Sequence, residues 1–394
     1  LAQPYVLAGG DSRGYLKVSI VGGGLTLEHA RPSANLAIVL DKSGSMGGQK
    51  IADARAAAAK AVSMLAPDDI VSVIAYDDGV RVVVPATRAA DRDRIVSGIN
   101  AIQAGGSTAL FAGVSAGAAE LRKFYDRRFV NRVILLSDGL ANVGPSSPAD
   151  LGELGTSLGR EGIAVTTIGL GLDYNEDLMS QLAMQSDGNH IFAEEPGDLD
   201  DVFAEELGDV TNVVAQNVEI IINCANGARP LRVFGRDAEI LGNRVIASMN
   251  QVYGDAERFV LLEVELPETA IGASALQVAD VQCRFDDSRT QLRTGLNAPV
   301  SVQFTDSVDV VNRNTDKVIM ASVLEQRGVE ENKRALELRD KGQLDEGAEK
   351  YDSQKLQTYY NQNVEATKNL DNDSDWKRQR KVMREQQYQI VNQQ

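Results

Sequence analysis

Hydrophobic and polar positions change their pattern twice along the chain. From residue 35 to about residue 210, apolar runs of strand length alternate with stretches of strong helix formers. This alternation is typical of a parallel sheet whose two faces are covered by helices. We therefore predict an α/β domain over residues 35–210, built on a doubly wound, mostly parallel, Rossmann-like sheet.

The elements of this domain are predicted from the individual runs. Its strands are expected at residues 36–40, 70–76, 80–84, 132–136, 163–170 and 190–192. Its clearest helices are expected at residues 51–64, 108–125 and 198–207. Alanine and other small residues in the first two helices favour close packing on the sheet.

After residue 210 the pattern changes to alternating runs without helices between them. The runs cover residues 217–222, 231–234, 244–249, 258–266, 276–285 and 300–304. Turn sequences such as Asn226-Gly227 separate them, and together they predict an antiparallel β-sandwich over residues 211–306. A strand-like run at 15–21, within the N-terminal segment 1–34, is expected to pair with this sandwich, so that the α/β domain is an insertion.

The last part of the chain, residues 307–394, is predicted to be helical because glycine is scarce and charged helix formers dominate. Residues 334–350 resemble the helical hairpin of one tetratricopeptide unit, with the turn at Lys341-Gly342. No second copy follows, so we predict helices rather than a repeat array. The basic run 377–381 is predicted to be the solvated face of a helix over residues 376–387, with contact to an acidic partner or a lipid surface as the alternative.

Oxygen-bearing side chains stand where two of the predicted strands end. Three of them follow the run 36–40 at alternate positions, one follows the run 132–136, and one follows a glycine-rich loop and opens the next helix. The carboxyl ends of neighbouring parallel strands meet at one edge of a sheet, where such folds bind ligands. These oxygens would suit a hard divalent cation. The candidate metal ligands are Asp41, Ser43, Ser45, Thr108 and Asp138.

Two other interpretations of these residues are open. Asp41, Ser43 and Ser45 could act only as caps of the helix that follows them. That role would leave Asp138 and the loop before Thr108 unexplained. The fold could also carry a degenerate site that binds no metal.

The five residues resemble the metal-ion-dependent adhesion site of the von Willebrand factor type A family, which has the pattern Asp-x-Ser-x-Ser followed by a distant Thr and a distant Asp. Asp41, Ser43 and Ser45 match the first part, Thr108 the second and Asp138 the third. The order of the domains is similar to that in bacterial relatives of calcium-activated chloride channel regulators and of inter-alpha-trypsin inhibitor heavy chains. The resemblance implies Mg²⁺, with Mn²⁺ or Ca²⁺ as alternatives, and a partner protein whose Asp or Glu completes the coordination.

The function expected from this site is cation-dependent protein binding or adhesion, without enzymatic activity. Of the two histidines, His190 opens a strand and is expected to be structural, and neither begins a His-Glu-x-x-His motif. The sequence contains no Gly-x-x-x-x-Gly-Lys-Ser/Thr phosphate loop. The alternative is a structural protein of the cell surface or of an assembly, in which the metal only stabilises the fold.

Length, composition and charge limit which classes of partner and which locations are expected for the chain. With 394 residues the chain is long enough for two or three domains. Its formal net charge of -16 disfavours direct nucleic-acid binding. No apolar run is long enough for a membrane span, and we expect no span in this chain. The sequence starts at Leu1, which leaves room for a removed signal peptide, and we expect an extracellular, cell-surface or periplasmic location.

Three smaller features of the sequence give weaker indications. Cys224 and Cys283 lie in the same predicted sandwich and could form a disulfide or remain as two buried thiols. Residues 173–177 and 371–375 have the alternating acids of an EF-hand loop, but Leu178 and Trp376 stand where that loop needs glycine. Both segments are better explained as the starts of helices.

Overall fold

The computed structural model of the chain describes residues 1–9, 13–23, 31–268, 275–340 and 373–392. The strands, in chain order, are β1 (Tyr5–Leu7), β2 (Arg13–Val21), β3 (Ala34–Asp41), β4 (Ile70–Tyr76), β5 (Val80–Arg88), β6 (Val130–Ser137), β7 (Ile163–Leu170), β8 (His190–Ala193), β9 (Val213–Cys224), β10 (Arg229–Phe234), β11 (Ala238–Leu241), β12 (Arg244–Tyr253), β13 (Glu257–Glu265), β14 (Leu276–Asp287) and β15 (Arg293–Thr305).

The helices lie mainly between the strands of the first sheet and after the last strand. In chain order they are α1 (Gln49–Met64), α2 (Arg92–Asn100), α3 (Leu110–Arg122), α4 (Pro148–Arg160), α5 (Glu176–Gln185), α6 (Leu199–Thr211), α7 (Val308–Asn314), α8 (Lys317–Asp340) and α9 (Asp373–Asn392).

The first sheet confirms the predicted α/β fold. Its strand order is β5-β4-β3-β6-β7-β8, with β5 antiparallel at one edge and the other neighbours parallel. Every residue of β3, β6 and β7 is buried. Alternate residues of β3 enter different cores: Leu36 and Ile38 pack with α1, α2 and α6, whereas Ala37 and Val39 pack with α3, α4 and α5. Continuous apolar strands are what burial on both faces requires.

The second part of the chain contains two further sheets. A six-stranded sheet has the order β1-β15-β14-β9-β12-β11, and a three-stranded sheet has the order β10-β13-β2. Side chains of both sheets share one apolar core, in which Leu16 and Leu262 lie with Ile220 and Val302. The strand β2 pairs antiparallel with β13 over its whole length, so the α/β layer is inserted between β2 and β9. The exact domain boundaries stay a prediction.

Cys224 and Cys283 are buried free thiols, the second of the two states that the sequence left open. They lie on the paired strands β9 and β14, where Cys224 faces Ala279 and Cys283 faces Ile220. This register separates the two cysteines by four residues along the strands, roughly 13 Å at the usual rise of a strand. A disulfide cannot span that distance.

The C-terminal region is helical in its described residues. The long helix α8 continues to Asp340, and the predicted turn at Lys341-Gly342 lies outside the described residues, as do residues 371 and 372. Helix α9 packs on α5, β8 and α8. No helix in the described part of the chain combines the length and apolar character that crossing a bilayer requires.

The prediction of a solvated basic face on this last helix is wrong for Arg380 and Lys381, whereas Lys377 and Arg378 are exposed. Lys381 is 1% exposed, and its ammonium bonds Glu176 at 2.8 Å and the backbone oxygen of Tyr174 at 2.7 Å. Arg380 forms ion pairs with Glu176 and Asp177. Arg380 and Lys381 attach α9 to the α/β layer, because Glu176 and Asp177 at the start of α5 face them.

Candidate functional site

The strands that carry Asp41 and Asp138 are neighbours, as the sequence predicted. Strand β3 ends at Asp41, and β6 ends one residue before Asp138. The two strands run parallel, with Leu40 beside Leu136. Both carboxylates therefore lie at the same edge of the sheet, and both are fully buried.

Hydrogen bonds join the two carboxylates to the two serines. Asp41 accepts from the backbone N–H of Ser43 at 2.8 Å through Oδ1, and from Ser137 Oγ at 2.7 Å through Oδ2. Ser45 Oγ donates to Asp138 Oδ1 at 2.6 Å and lies 3.0 Å from Ser43 Oγ. Four of the predicted ligands thus form one continuous cluster.

The alternative that these residues only cap a helix is wrong. Helix α1 begins after Gly48, and no side chain caps it. Ser43 precedes a short 3-10 turn, Gly44–Met46, but makes no capping hydrogen bond there. The two serine hydroxyls instead lie against each other, and Ser45 Oγ donates to Asp138, while Asp41 accepts from the Ser43 backbone and from Ser137.

Thr108 reaches the cluster from the loop between helices α2 and α3. It is 3% exposed, and its backbone N–H donates to Asn142 Oδ1 at 2.9 Å. Helix α3 begins at Leu110, two residues later than predicted. A Cβ placed on Gly139 would lie 3.4 Å from Ser45 Oγ and 3.6 Å from Thr108 Oγ1, so both hydroxyls border the same small space. The structure therefore brings all five predicted residues together.

Burial and one lysine set the electrostatics of the cluster. Burial raises the pKa of Asp41 above its ordinary value, against the opposing effect of hydrogen bonds from Ser137 and Ser43. The ammonium of Lys50 lies 2.5 Å from Asp138 Oδ2. Buried carboxylates need such compensation, which a cation can also supply.

The donor set fits a hard divalent cation. It consists of two carboxylates and three hydroxyls, all oxygen, as Mg²⁺, Mn²⁺ and Ca²⁺ prefer. Among the described residues no group of three or more His, Cys, Asp or Glu could hold a metal, so a cation at this edge would depend on the hydroxyls. The missing side chain at Gly139 leaves the space beside Ser45 and Thr108 open.

Ser43, Ser45, Thr108 and Asp138 line an open cleft of about 680 Å³. One wall carries Leu140 and Asn142, and the opposite wall is formed by Tyr174, Glu176 and the basic residues of α9. Sequence reasoning missed this second wall, since α9 and Glu176 are about 200 residues apart along the chain. It also missed Lys50 and Ser137, although the position of Ser137 directly before Asp138 was a usable signal.

An open α/β sheet with acidic and hydroxyl side chains at its strand ends defines a class of ligand-binding domains. The comparison with known proteins identifies the family: residues 35–205 match the model of the von Willebrand factor type A domain. The chain therefore contains a von Willebrand factor type A domain.

The chain is also similar to individual known proteins. An uncharacterized protein of Synechocystis sp. is 26% identical over 292 residues, which are 70% of this chain and 68% of that protein. Inter-alpha-trypsin inhibitor heavy chain H3 of Rattus norvegicus is 29% identical over 168 residues, 40% of this chain but only 18% of its own length. The predicted resemblance to these heavy chains is confirmed.

A solved structure extends the likeness in fold beyond the α/β layer. The structure of a von Willebrand factor type A protein from Catenulispora acidiphila has a TM-score of 0.69 and 20% identity, and it covers 84% of this chain and 80% of that one. Domains of this family are often metal-dependent protein-interaction modules and are typically not enzymes.

Proposed function

We propose that this chain is a divalent-cation-dependent protein-binding module. In this proposal Asp41, Ser43, Ser45, Thr108 and Asp138 hold the cation at the edge of the sheet, and a partner protein contributes an Asp or Glu carboxylate. The supporting observation is that Ser43, Ser45, Thr108 and Asp138 line one open cleft with Gly139. Asp41 adjoins them through its hydrogen bond from the backbone N–H of Ser43.

The chemistry of the donors supports a binding role. A bound Mg²⁺ would supply a positive charge with exchangeable positions at the base of the cleft. The three hydroxyls are neutral, and Asp138 is already paired with Lys50, so the chain compensates that charge only in part. The cleft is open enough for a side chain of another protein to enter. A carboxylate is the side chain whose charge and oxygens match such a position.

The first experiment measures thermal unfolding with and without Mg²⁺. We expect saturating Mg²⁺ to raise the Tm of the wild-type chain by several degrees, because a ligand that binds only the folded state stabilises it by about 2 to 3 kcal/mol at a hundred times its Kd. Asp41→Ala and Thr108→Val should lose this rise. Ser107→Ala removes a neighbouring hydroxyl that is not among the five, and it should keep the rise.

An equal Tm increase in Asp41→Ala and the wild type would reject the site. EDTA then separates the proposed function from a structural role of the cation. If a partner that is captured in the presence of Mg²⁺ stays bound after EDTA, the cation serves only the fold. Loss of the partner with EDTA, and its return with Mg²⁺, supports the binding module.

A further inference from the structure

Lys50 contacts the candidate site from the first turn of α1. Its ammonium bonds Asp138 Oδ2 at 2.5 Å, while Asp138 Oδ1 accepts the hydroxyl of Ser45 at 2.6 Å. Asp138 is fully buried, whereas the side chain of Lys50 is 31% exposed. The lysine therefore reaches inward from the surface to the outer oxygen of a buried carboxylate.

This contact changes the charge balance of the five-residue cluster. Asp41 and Asp138 bring two negative charges, and Lys50 offsets one of them. Lys42, the lysine directly after Asp41, instead pairs with Asp77, outside the cluster. Among the ion pairs of the described residues, the Lys50 pair is the one that involves a carboxylate of the cluster.

We propose that Lys50 sets the charge of the cation site, an inference that rests on the proposed function. By pairing with Asp138 it weakens the hold of the cluster on a divalent cation. The loaded site then keeps a net positive charge, which favours an anionic carboxylate as the ligand. With both aspartates uncompensated, the cluster would neutralise a divalent cation completely and attract a carboxylate less.

The direct test is the affinity for Mn²⁺ alone, measured by isothermal titration calorimetry at fixed ionic strength. We expect Lys50→Met to bind Mn²⁺ about tenfold more tightly than the wild type, because it removes one positive charge a few ångströms from the cluster. Lys50→Arg should restore the wild-type value to within about twofold, since it keeps the charge. Lys42→Met is the matched control, which removes a lysine from the same edge of the sheet.

A second readout uses acetate as the carboxylate probe. Acetate that binds Mn²⁺ displaces water, and this lowers the enhancement of water-proton relaxation by the Mn²⁺-loaded protein. We expect the enhancement of the wild type to fall at lower acetate concentrations than that of Lys50→Met. The two measurements should therefore move in opposite directions, with tighter metal binding and weaker acetate binding in the variant.

Mn²⁺ binding by Lys50→Met that equals or falls below the wild-type affinity would overturn the inference, because the lysine would then have no charge effect or would only hold Asp138 in place. Failure of the proposed function looks different: the wild type would bind no Mn²⁺, or Asp41→Ala would bind it as the wild type does. Thermal unfolding without metal checks that each variant folds. Lys50→Gln replaces Lys50→Met if that variant does not.

Discussion

Gly139 is the residue that leaves room next to the hydroxyls of the candidate site. A Cβ at this position would lie at ordinary contact distances from Ser45 Oγ and Thr108 Oγ1, at 3.4 and 3.6 Å. An alanine would thus be accommodated without a clash, but its methyl group would occupy the space that the two hydroxyls border. A substitution at Gly139 can therefore test whether a cation uses this space without destabilising the fold.

Gly139→Ala should weaken Mn²⁺ binding about tenfold, the size of effect that residues flanking metal ligands commonly have. Its Tm without metal should stay within about 2 °C of the wild type, because no contact is lost and no clash is created. Calorimetric titration with Mn²⁺ gives the affinity. Gly197→Ala is the control, since a Cβ there meets nothing within 4 Å. Equal affinities for the two variants would show that the cation does not use this space.

Whether the sequence predicts that a residue belongs to the candidate site depends on the residues next to it in the chain. Asp41 and Asp138 were predicted because each ends a continuous apolar strand, which places them at the edge of a parallel sheet. Thr108 was predicted from its glycine-rich loop. Lys50 was not, because a lysine in the first turn of a helix is usually solvated, and its contact with Asp138 depends on a packing that the local sequence does not encode.

At the scale of elements, α9 is held on the α/β layer by ion pairs at the start of α5. Glu176 accepts from both Arg380 and Lys381, and its side chain is 8% exposed. The ammonium of Lys381 also lies 3.8 Å from the centre of the Tyr174 ring. Since Tyr174, Glu176 and α9 line the cleft, the attachment of this helix determines one wall of the candidate site.

Glu176→Gln should lower the free energy of unfolding by about 2 to 4 kcal/mol, because it leaves the buried Lys381 and the partly buried Arg380 with one fewer carboxylate. Urea unfolding at pH 7 measures the change, and limited proteolysis reports whether α9 has come loose. Glu194→Gln is the matched control: it breaks a different ion pair to α9, with Arg378, whose side chains are about half exposed. That change should cost less than about 1 kcal/mol. If both variants lose equal stability, the buried pairs do not hold the helix.

Elements with a buried, periodic sequence were predicted well, and elements that depend on distant partners were not. The bounds of β4 and β7 agree with the predicted 70–76 and 163–170, because every residue of these strands is buried and the apolar run has sharp ends. The edge strand β11 is mostly exposed and has no such run. The basic run of α9 was misinterpreted because charge alone does not show which acids will face it.

For the whole molecule, a buried polar network joins the α/β layer to the second set of strands. Arg132 of β6 bonds Glu206 of α6 at 2.5 Å and the hydroxyl of Tyr253 in β12 at 2.6 Å. Asn189 donates to Glu206 at 2.8 Å and to Asp209 at 3.3 Å. Strand β6 also leads to Asp138 at its other end, so the junction and the candidate site share one strand.

The network makes the stability of the molecule depend on pH through Asp209. Burial, and then the neighbouring charge of Glu206, raise the pKa of Asp209 from 3.8 to about 6. The folded chain therefore binds more protons than the unfolded chain between these two values, and this group lowers stability as pH rises through that window. Above about pH 6 the full cost of holding the charged carboxylate is present.

Asp209→Asn should remove this cost while keeping an oxygen that can accept from Asn189. We expect the variant to be more stable than the wild type by about 1 kcal/mol at pH 7, a value reduced from the full shift because the carboxylate is partly exposed. The gain should shrink as pH falls from 6 towards 3.8 and vanish below about pH 3, where the wild-type carboxyl is protonated in both states. Urea unfolding at a series of pH values follows it, with Asp201→Asn, an exposed acid of the same helix, as the control. A gain that does not change between pH 7 and pH 4 would mean that the protonation of Asp209 is not its source, and that the junction does not govern this pH dependence.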